Sequence, residues 1–462
     1  MKRTFTEDTI VALSSPAGKG AIALIRMSGP KAISIINRLF SGKINSGANR
    51  RAFFGQISDP SGEKIDDVIV TYFKKPASYT GEDVVEISCH GNNIIINDIL
   101  ESLISAGCRP ANPGEFTERA FLNGKLDLSQ AEAVAKLIDA QSRKGLQLAQ
   151  RQLSGRLSGK IHQLKDELIK LAGLLEISLD FSEEDIEIYD SQHIVELGRN
   201  ILTGIEKLIS TFKLGNLLQN GVSVALLGKP NVGKSSLLNQ LLQKERAIVS
   251  HIPGTTRDYI EDRLELEGIL FRIIDTAGIR STDDTIEEVG VQRSLEQSRQ
   301  ADLLIALFDS SQELDKDDQR LIAHLKTLER DTAIISVLNK RDLPGAGIQS
   351  ELETVLHRTP VSISAKSGEG IEDLKQAMVS AATGGQQMEE YDALISNQRH
   401  LQALKRAAAD LKTFIQNAEH TADETILAED LRSAIDHLGE ITGETTADDI
   451  LNTIFSNFCI GK

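Results

Sequence analysis

The chain has 462 residues, enough for about three domains at roughly 150 residues each. It is 40% hydrophobic and 26% charged, with 51 Lys plus Arg against 67 Asp plus Glu and a formal charge of −16. This composition excludes a disordered chain and a protein that coats nucleic acid through bulk charge, but not a local site.

The longest apolar run, Leu303 to Phe308, has the length of a strand, so no membrane span is expected. Lys2 and Arg3 are followed by Glu7 and Asp8 and only a short apolar stretch, which does not make a signal peptide. Cys89, Cys108 and Cys459 form no CxxC, which points to a reduced, cytoplasmic protein.

The first 123 residues read as a mixed α+β domain. They hold six of the ten prolines and a nearly balanced charge, 14 Lys plus Arg against 13 Asp plus Glu. Gly18-Lys19-Gly20 is not a phosphate loop, because position 20 is neither Ser nor Thr. His90 beside Cys89 is expected as a packed strand-end histidine, since no second ligand stands at metal spacing. Residues 114–229 contain no proline, as continuous helices require. Leu153, Leu157, Ile161, Leu164, Leu168, Leu171 and Leu175 form one apolar helical stripe. Six acids from Asp180 to Asp190 read as a solvated loop. From about 220 to 383 the rhythm changes to short apolar runs separated by helical stretches, the pattern of an α/β domain with a mainly parallel sheet. The helical pattern then returns, with Leu427, Leu431, Ile435 and Leu438 as its stripe. The simplest arrangement packs the two stripes on each other. The overall expectation is a multidomain α/β protein whose α/β segment is inserted into a helical domain.

The central segment carries the chemistry. Val222–Leu227 runs into Gly228-Lys-Pro-Asn231-Val232-Gly233-Lys234-Ser235-Ser236, a GxxxxGK[ST] pattern between a strand and a helix. Its glycines let backbone N–H groups turn toward phosphate oxygens, Lys234 reaches the outer phosphates, and the Ser235 hydroxyl ligates Mg²⁺. Asp275-Thr276-Ala277-Gly278 follows the run Leu270–Ile274, with the aspartate where a second Mg²⁺-linked carboxylate belongs and the glycine placed to meet the terminal phosphate. Asn339-Lys340-Arg341-Asp342 follows another run, and an aspartate there accepts from the ring N–H and exocyclic amine of guanine. Ser364-Ala365-Lys366 follows Val361–Ile363 and offers a backbone N–H to the guanine oxygen. Four motifs in this order, each at a strand end, imply GTP rather than ATP. Ile279 stands where Ras-like proteins carry a water-orienting glutamine, so another polar residue is required, and Arg280 and Glu287 are the nearest. Thr256, in Gly254-Thr255-Thr256-Arg257-Asp258, is the second candidate Mg²⁺ hydroxyl. Asn231 either holds a monovalent cation beside the phosphates or is a turn residue after Pro230.

The motifs GKPNVGKSS, GTTRD, DTAGIR and NKRD, with SYTGEDVVEISCHG, RPANPGEFTERAFLNGKLDLSQAEAV and FCIGK outside the central segment, resemble the MnmE (TrmE) family of tRNA modification GTPases over the whole length. The resemblance implies an N-terminal domain over 1–123 that binds a one-carbon tetrahydrofolate (5,10-methylene or 5-formyl) and makes a homodimer. It implies a discontinuous all-α domain over 124–219 and 384–462, and an inserted Ras-like P-loop GTPase domain over 220–383. With the flavoprotein MnmG, in a heterotetramer, such proteins modify carbon 5 of the wobble uridine of certain tRNAs. Folate supplies the methylene carbon, and ammonium or glycine the nitrogen. Carried onto this chain, the folate contacts are Arg26, Glu86, Lys125 and Lys462. A potassium site is formed by Asn231 with groups from Ser250, Ile252 and Thr255, and hydrolysis uses Glu287, whose neighbour is Glu288. Ser250-His251-Ile252 stands where family members often have Thr-Asp-Ile, which leaves carbonyl ligation open. From the residues alone, Arg26 and Lys125 read as surface charges. Cys459-Ile-Gly-Lys462 has the outline of a prenylation signal, but Gly461 is not aliphatic and lysine is not a usual final residue. The resemblance instead places Cys459 near the modification chemistry. The alternative is a regulatory GTPase of ribosome assembly without modification chemistry. The first 123 residues and FCIGK favour the enzyme.

Overall fold

The computed structural model describes residues 8–45, 47, 49–181, 191–245, 262–274, 301–328, 332–420 and 424–462. They fall into two compact units. One comprises Met1–Ala135, Ile161–Ile169 and Arg432–Lys462, and the other Lys136–Lys160 and Lys170–Leu431.

The first unit is built on a six-stranded sheet of β1 (Ile10–Leu13), β2 (Ile22–Ser28), β3 (Ala52–Ser58), β4 (Lys64–Phe73), β5 (Val84–His90) and β6 (Arg109–Pro110). The order is β3-β4-β5-β2-β1-β6, antiparallel except for the β1–β6 pair. Helices α1 (Ala32–Leu39) and α2 (Asn93–Ser105) cover one face. Period-2 alternation directs Val68, Val70 and Tyr72 of β4 into that core, while Ile69 faces out beside its cross-strand partner Phe54. The domain closes with α3 (Glu115–Leu122) and the start of α4 (Leu128–Asp139).

His90 departs from expectation. It ends β5 but its side chain is exposed, anchored by Asp66, whose Oδ2 accepts from the His90 backbone N–H and whose Oδ1 pairs with Nδ1 at 2.8 Å. Beneath the sheet's end lies a buried ion network. Arg119, fully buried on α3, bonds Asp8 (2.8 Å), Glu115 (2.9 Å) and Glu82 (3.1 Å).

The helical segment continues with α5 (Arg143–Leu153), α6 (Arg156–Phe181), α7 (Ser191–Ser210) and α8 (Phe212–Asn220). The single stripe expected from Leu153 onward is divided. Gly155, at φ 84°, separates α5 from α6, and the buried stripe of α6 begins at Leu157.

The second sheet holds β7 (Val222–Leu227), β8 (Asp262–Leu266), β9 (Ile269–Ile273), β10 (Leu303–Asp309), β11 (Ala333–Asn339) and β12 (Val361–Ser362), in the order β12-β11-β10-β7-β9-β8. All its pairs are parallel except the β8–β9 hairpin. Strands β7 and β10 are buried on both faces, which is why they read as unbroken apolar runs. Helices α9 (Lys234–Glu245), α10 (Lys316–Leu328), α11 (Gln349–Leu356) and α12 (Ile371–Thr383) accompany the sheet. The chain then forms α13 (Gln398–Glu419), α14 (Glu424–Thr442) and α15 (Asp448–Ser456).

Within the second unit α13 packs along α7, and at Gly198 of α7 an added Cβ would lie 3.2 Å from the Phe414 ring. Leu148 of α5 and Leu214, Leu217 and Leu218 of α8 join the core of the second sheet. Within the first unit α15 lays Leu451 and Phe455 against Phe121, Leu128 and Ala131. The fold is therefore an α+β domain, a discontinuous helical domain and an inserted P-loop domain.

Candidate functional site

The loop after β7 takes its shape from three positions with positive φ: Gly228 (155°), Asn231 (57°) and Gly233 (105°). Asn231 thus adopts the left-handed turn conformation that asparagine tolerates, with its side chain exposed. A Cβ on Gly233 would collide with the Asn339 side-chain amide, so only glycine lets the two segments approach. The loop leads into the N-terminus of α9, whose first N–H groups lack intrahelical partners and attract anions. The Lys234 amine curls back over the loop and donates to the carbonyls of Gly228 (2.6 Å) and Lys229 (2.9 Å). Burial lowers its pKa, because a low-dielectric setting disfavours the charged amine. Ser235 and Ser236 follow on the exposed first turn of α9, and Val232 is buried beneath the loop.

The two guanine motifs meet at this loop. The Asn339 Nδ2 donates to the Val232 carbonyl (2.7 Å), and its Oδ1 accepts from the Ala365 N–H (2.9 Å). One buried side chain thereby joins the phosphate loop to the Ser364-Ala365-Lys366 turn. The Ser364 hydroxyl donates to Asp342 Oδ1 (2.7 Å). That bond, with the charges of Lys366 and Lys340, holds the exposed Asp342 carboxyl below its usual range. Lys340, at φ 67°, pairs with Asp309 at the end of β10 (2.6 Å). Burial opposes ionisation of Asp309, but the bonds from Lys340 and Ser311 outweigh it and keep the carboxyl below its usual range.

A further tie was not legible in the sequence. Lys229 sits between Asp315 and Asp318 at 2.8 Å each, which binds the phosphate loop to the start of α10. Its signal, a lysine inside the loop motif, is visible, but its partners lie 86 and 89 positions away.

Ser250, Ile252, Thr255, Thr256, Asp275, Thr276, Ala277, Gly278, Arg280 and Glu287 lie outside the described residues, as do the acids after Phe181. Among the described residues no His, Cys, Asp and Glu group could hold a metal ion.

The N-terminal candidates converge. Arg26 on β2 and Glu86 on β5 are register partners, and one Glu86 oxygen accepts from both Nε (2.9 Å) and Nη2 (2.8 Å) of Arg26. The Arg26 guanidinium lies 5.5 Å from the Tyr79 ring centroid and 5.8 Å from that of Phe116. The Phe116 N–H donates to the Lys462 carbonyl (3.2 Å), the Gly114 N–H to that of Cys459 (3.4 Å), and the Ser14 hydroxyl to that of Gly461 (3.0 Å). The segment from Cys459 to Lys462 is therefore fixed beside the ring that neighbours Arg26. The Lys125 stem packs near Gly81, two residues from Tyr79. Tyr79 and Phe116, the aromatic surroundings of Arg26, were missed by the sequence reading. Cys459 is exposed, whereas burial pushes the Cys89 and Cys108 thiols up to about 11 and about 12.

No helix among the described residues is long and apolar enough to cross a membrane. Comparison with known proteins gives two family matches: "GTP-binding protein TrmE N-terminus" over residues 9–125 and "MnmE helical domain" over residues 128–459. The tRNA modification GTPase MnmE of Natranaerobius thermophilus is 42% identical over 99% of this chain and 100% of its own. That of Cytophaga hutchinsonii is 44% identical over 98% of both chains, and that of Aquifex aeolicus 42% identical over 98% of this chain and 100% of its own. With such identity along its whole length, together with the phosphate loop and guanine motifs assembled at the strand ends, the chain belongs to the MnmE family of tRNA modification GTPases.

Proposed function

We propose that this GTPase uses GTP hydrolysis to drive modification of carbon 5 of the wobble uridine in certain tRNAs, adding an aminomethyl or carboxymethylaminomethyl group. In this reading a one-carbon tetrahydrofolate, held by residues 1–123, supplies the carbon, and the flavoprotein MnmG is the partner. The helical domain spans 124–219 and 384–462, and the GTPase domain 220–383. The protein works in the cytoplasm.

The observation that carries the reading is the meeting of Arg26, Glu86 and the Cys459–Lys462 segment around Phe116. A GTPase acting only as a timer has no use for such a second site. The guanidinium suits the carboxylates of a folate tail, the two aromatic rings suit its flat pterin, and exposed Cys459 stands at the same edge. The homodimer is supported by the outward face of the N-terminal sheet, where Ile22, Phe54 and Ile69 are exposed apolar residues.

At the GTPase centre the described residues fit a Mg²⁺–nucleotide. Lys234 is already directed onto the loop, Gly233 leaves room, and the Ser235 hydroxyl stands at the start of α9. Ser235 and Thr256 would hold a Mg²⁺, which would neutralise charge on the outer phosphates. In this reading Asp275 to Gly278 would serve the terminal phosphate, Glu287 with Arg280 would orient or activate the attacking water, and Asn231 with Ser250, Ile252 and Thr255 would hold potassium. Asp342, with the Ser364-Ala365-Lys366 turn, reads guanine.

The test is calorimetry of 5-formyl-tetrahydrofolate binding. Arg26→Ala is expected to weaken folate at least about tenfold, the scale of a lost charge-assisted bond, while leaving GTP affinity unchanged. Unchanged folate affinity would remove Arg26 from the site.

A further inference from the structure

The chain carries a net charge of −16, yet from Ala140 to Lys160 it has no acidic residue and five basic ones: Arg143, Lys144, Arg151, Arg156 and Lys160. At the chain's average, about three acids belong in a stretch of that length. The structure gives the anomaly a shape. Helix α5 buries Gly145, Leu148, Ala149 and Gln152 and turns Arg143, Gln147, Gln150 and Arg151 away from that core, so cations and amides share its outer side. Where α5 ends, a groove of about 390 Å³ opens between Gln147, Gln150, Arg151, Ser154 and Arg156 on one side and Glu389 on the other. Arg151 is fixed as the wall of this groove by donating to the Met388 carbonyl (3.0 Å). Arg143 and Arg156 are exposed and make no ion pair among the described residues. The nearby acids do not cancel the patch. Glu265 accepts from the Arg143 backbone N–H (3.0 Å) rather than from its guanidinium, and Glu389 is a single carboxylate on the groove's rim. Arg263 adds a further cation where it bonds Gln141 (2.9 Å).

We infer that the outer side of α5 and the groove at its end form a docking surface for the sugar–phosphate backbone of tRNA. The inference rests on the proposed tRNA modification and assigns a surface to that substrate. Charge complementarity selects the occupant. A polyanion gains most from an isolated cationic stripe on an acidic molecule, and the surrounding negative field discourages binding elsewhere. Arg143 and Arg151 lie about 12 Å apart along the helix axis, so they reach separate phosphates rather than one. The glutamines between them suit ribose 2′-hydroxyls, which accept and donate, whereas an acidic peptide would call for cations at those positions. The groove recruits and orients the RNA by its backbone; base selection lies elsewhere.

The experiment uses the full chain and a fluorescein-labelled tRNA transcript with a wobble uridine, followed by anisotropy across a series of KCl concentrations. Arg143→Gln with Arg156→Gln is expected to weaken binding about tenfold at low salt. The slope of log affinity against log salt should fall by about two, one for each cation removed. GTP turnover without tRNA should be unchanged, and the double lysine variant should retain most of the affinity and the full slope. Equal affinity and slope in the glutamine variant would overturn the inference. Competition by poly-glutamate as effective as by tRNA would also overturn it, marking the surface as one for an acidic protein. If the wild-type chain itself fails to bind tRNA at any salt concentration, the underlying tRNA reading fails, an outcome distinct from an unaltered variant.

Discussion

At the residue scale, two carboxylates show how local bonds set function and stability. Asp342 stands exposed at the loop end, with its Oδ1 held by the Ser364 hydroxyl. Its remaining capacity to accept is what a guanine edge requires. Asp342→Asn replaces an acceptor by a donor and is expected to cost GTP turnover at least about 100-fold while favouring xanthosine triphosphate. Turnover assays with the two nucleotides decide it, and undiminished GTP preference would dismiss Asp342 as the reader. Asp315 illustrates pH. Hydrogen bonds from Lys229 and from the start of α10 depress its carboxyl to about 2, below the ordinary 3.8. A depressed acid stabilises the fold above its unfolded value, and that contribution is lost as the pH falls through the folded one. The melting temperature of Asp315→Asn is thus expected to lie below wild type at pH 6, and the gap to close between about pH 4 and about pH 2. A gap that persists at the acidic end would show that the residue acts by packing alone. Neither the Lys229 tie nor its pH signature was legible in the sequence, because periodicity holds no record of which distant acid a lysine meets.

At the element scale, legibility followed burial. β7 and β10 could be located because both faces are covered and every residue but the terminal Asp309 is apolar or small. β8 was missed because Leu264 and Leu266 alternate with Arg263 and Glu265, so the strand reads as polar unless a period of two is sought. The guanine motifs were legible as local strings. The pairing of Arg26 with Glu86 was not, since it depends on the register of β2 against β5, and their proposed roles came from family resemblance alone. The break between α5 and α6 at Gly155 was overlooked because a leucine stripe can run across a helix terminus without losing its spacing. Helix α3 depends on buried charge pairing. Fully buried Arg119 neutralises Glu115 on its own helix, Asp8 and Glu82. Arg119→Leu leaves Glu115 with Arg109 and the Asn112 N–H as its remaining partners and is expected to destabilise the N-terminal unit by about 1–3 kcal/mol. Chemical denaturation followed by hydrogen exchange in residues 8–135 measures it, and a loss under about 1 kcal/mol would show that the acids relax into water.

At the scale of the whole molecule, the proposed chemistry is divided between two compact units, with nucleotide in one and folate in the other. The proposed potassium site gives the nucleotide unit its own test. A cation held by Asn231 would meet the charge that builds between the β- and γ-phosphates, and its fit would depend on ionic radius. Hydrolysis is expected to run at least about tenfold faster in potassium than in matched sodium salt, and Asn231→Ala should erase the difference while sparing much of the nucleotide affinity. Equal wild-type rates in the two salts would leave Asn231 as a turn residue only, consistent with its φ of 57°. The bond from Ser14 to the Gly461 carbonyl spans 447 positions and has a consequence for biosynthesis. A ribosome adding about 5–20 residues each second reaches Gly461 roughly 20–90 seconds after it has added Ser14. Throughout that interval the apolar side chains of Phe121, Leu128 and Ala131 wait for Leu451 and Phe455. Translation must pass the end of α15 before the N-terminal unit can close, so a nascent chain interrupted earlier shows chaperones and proteases an open seam, and the proposed folate site cannot form on an unfinished protein.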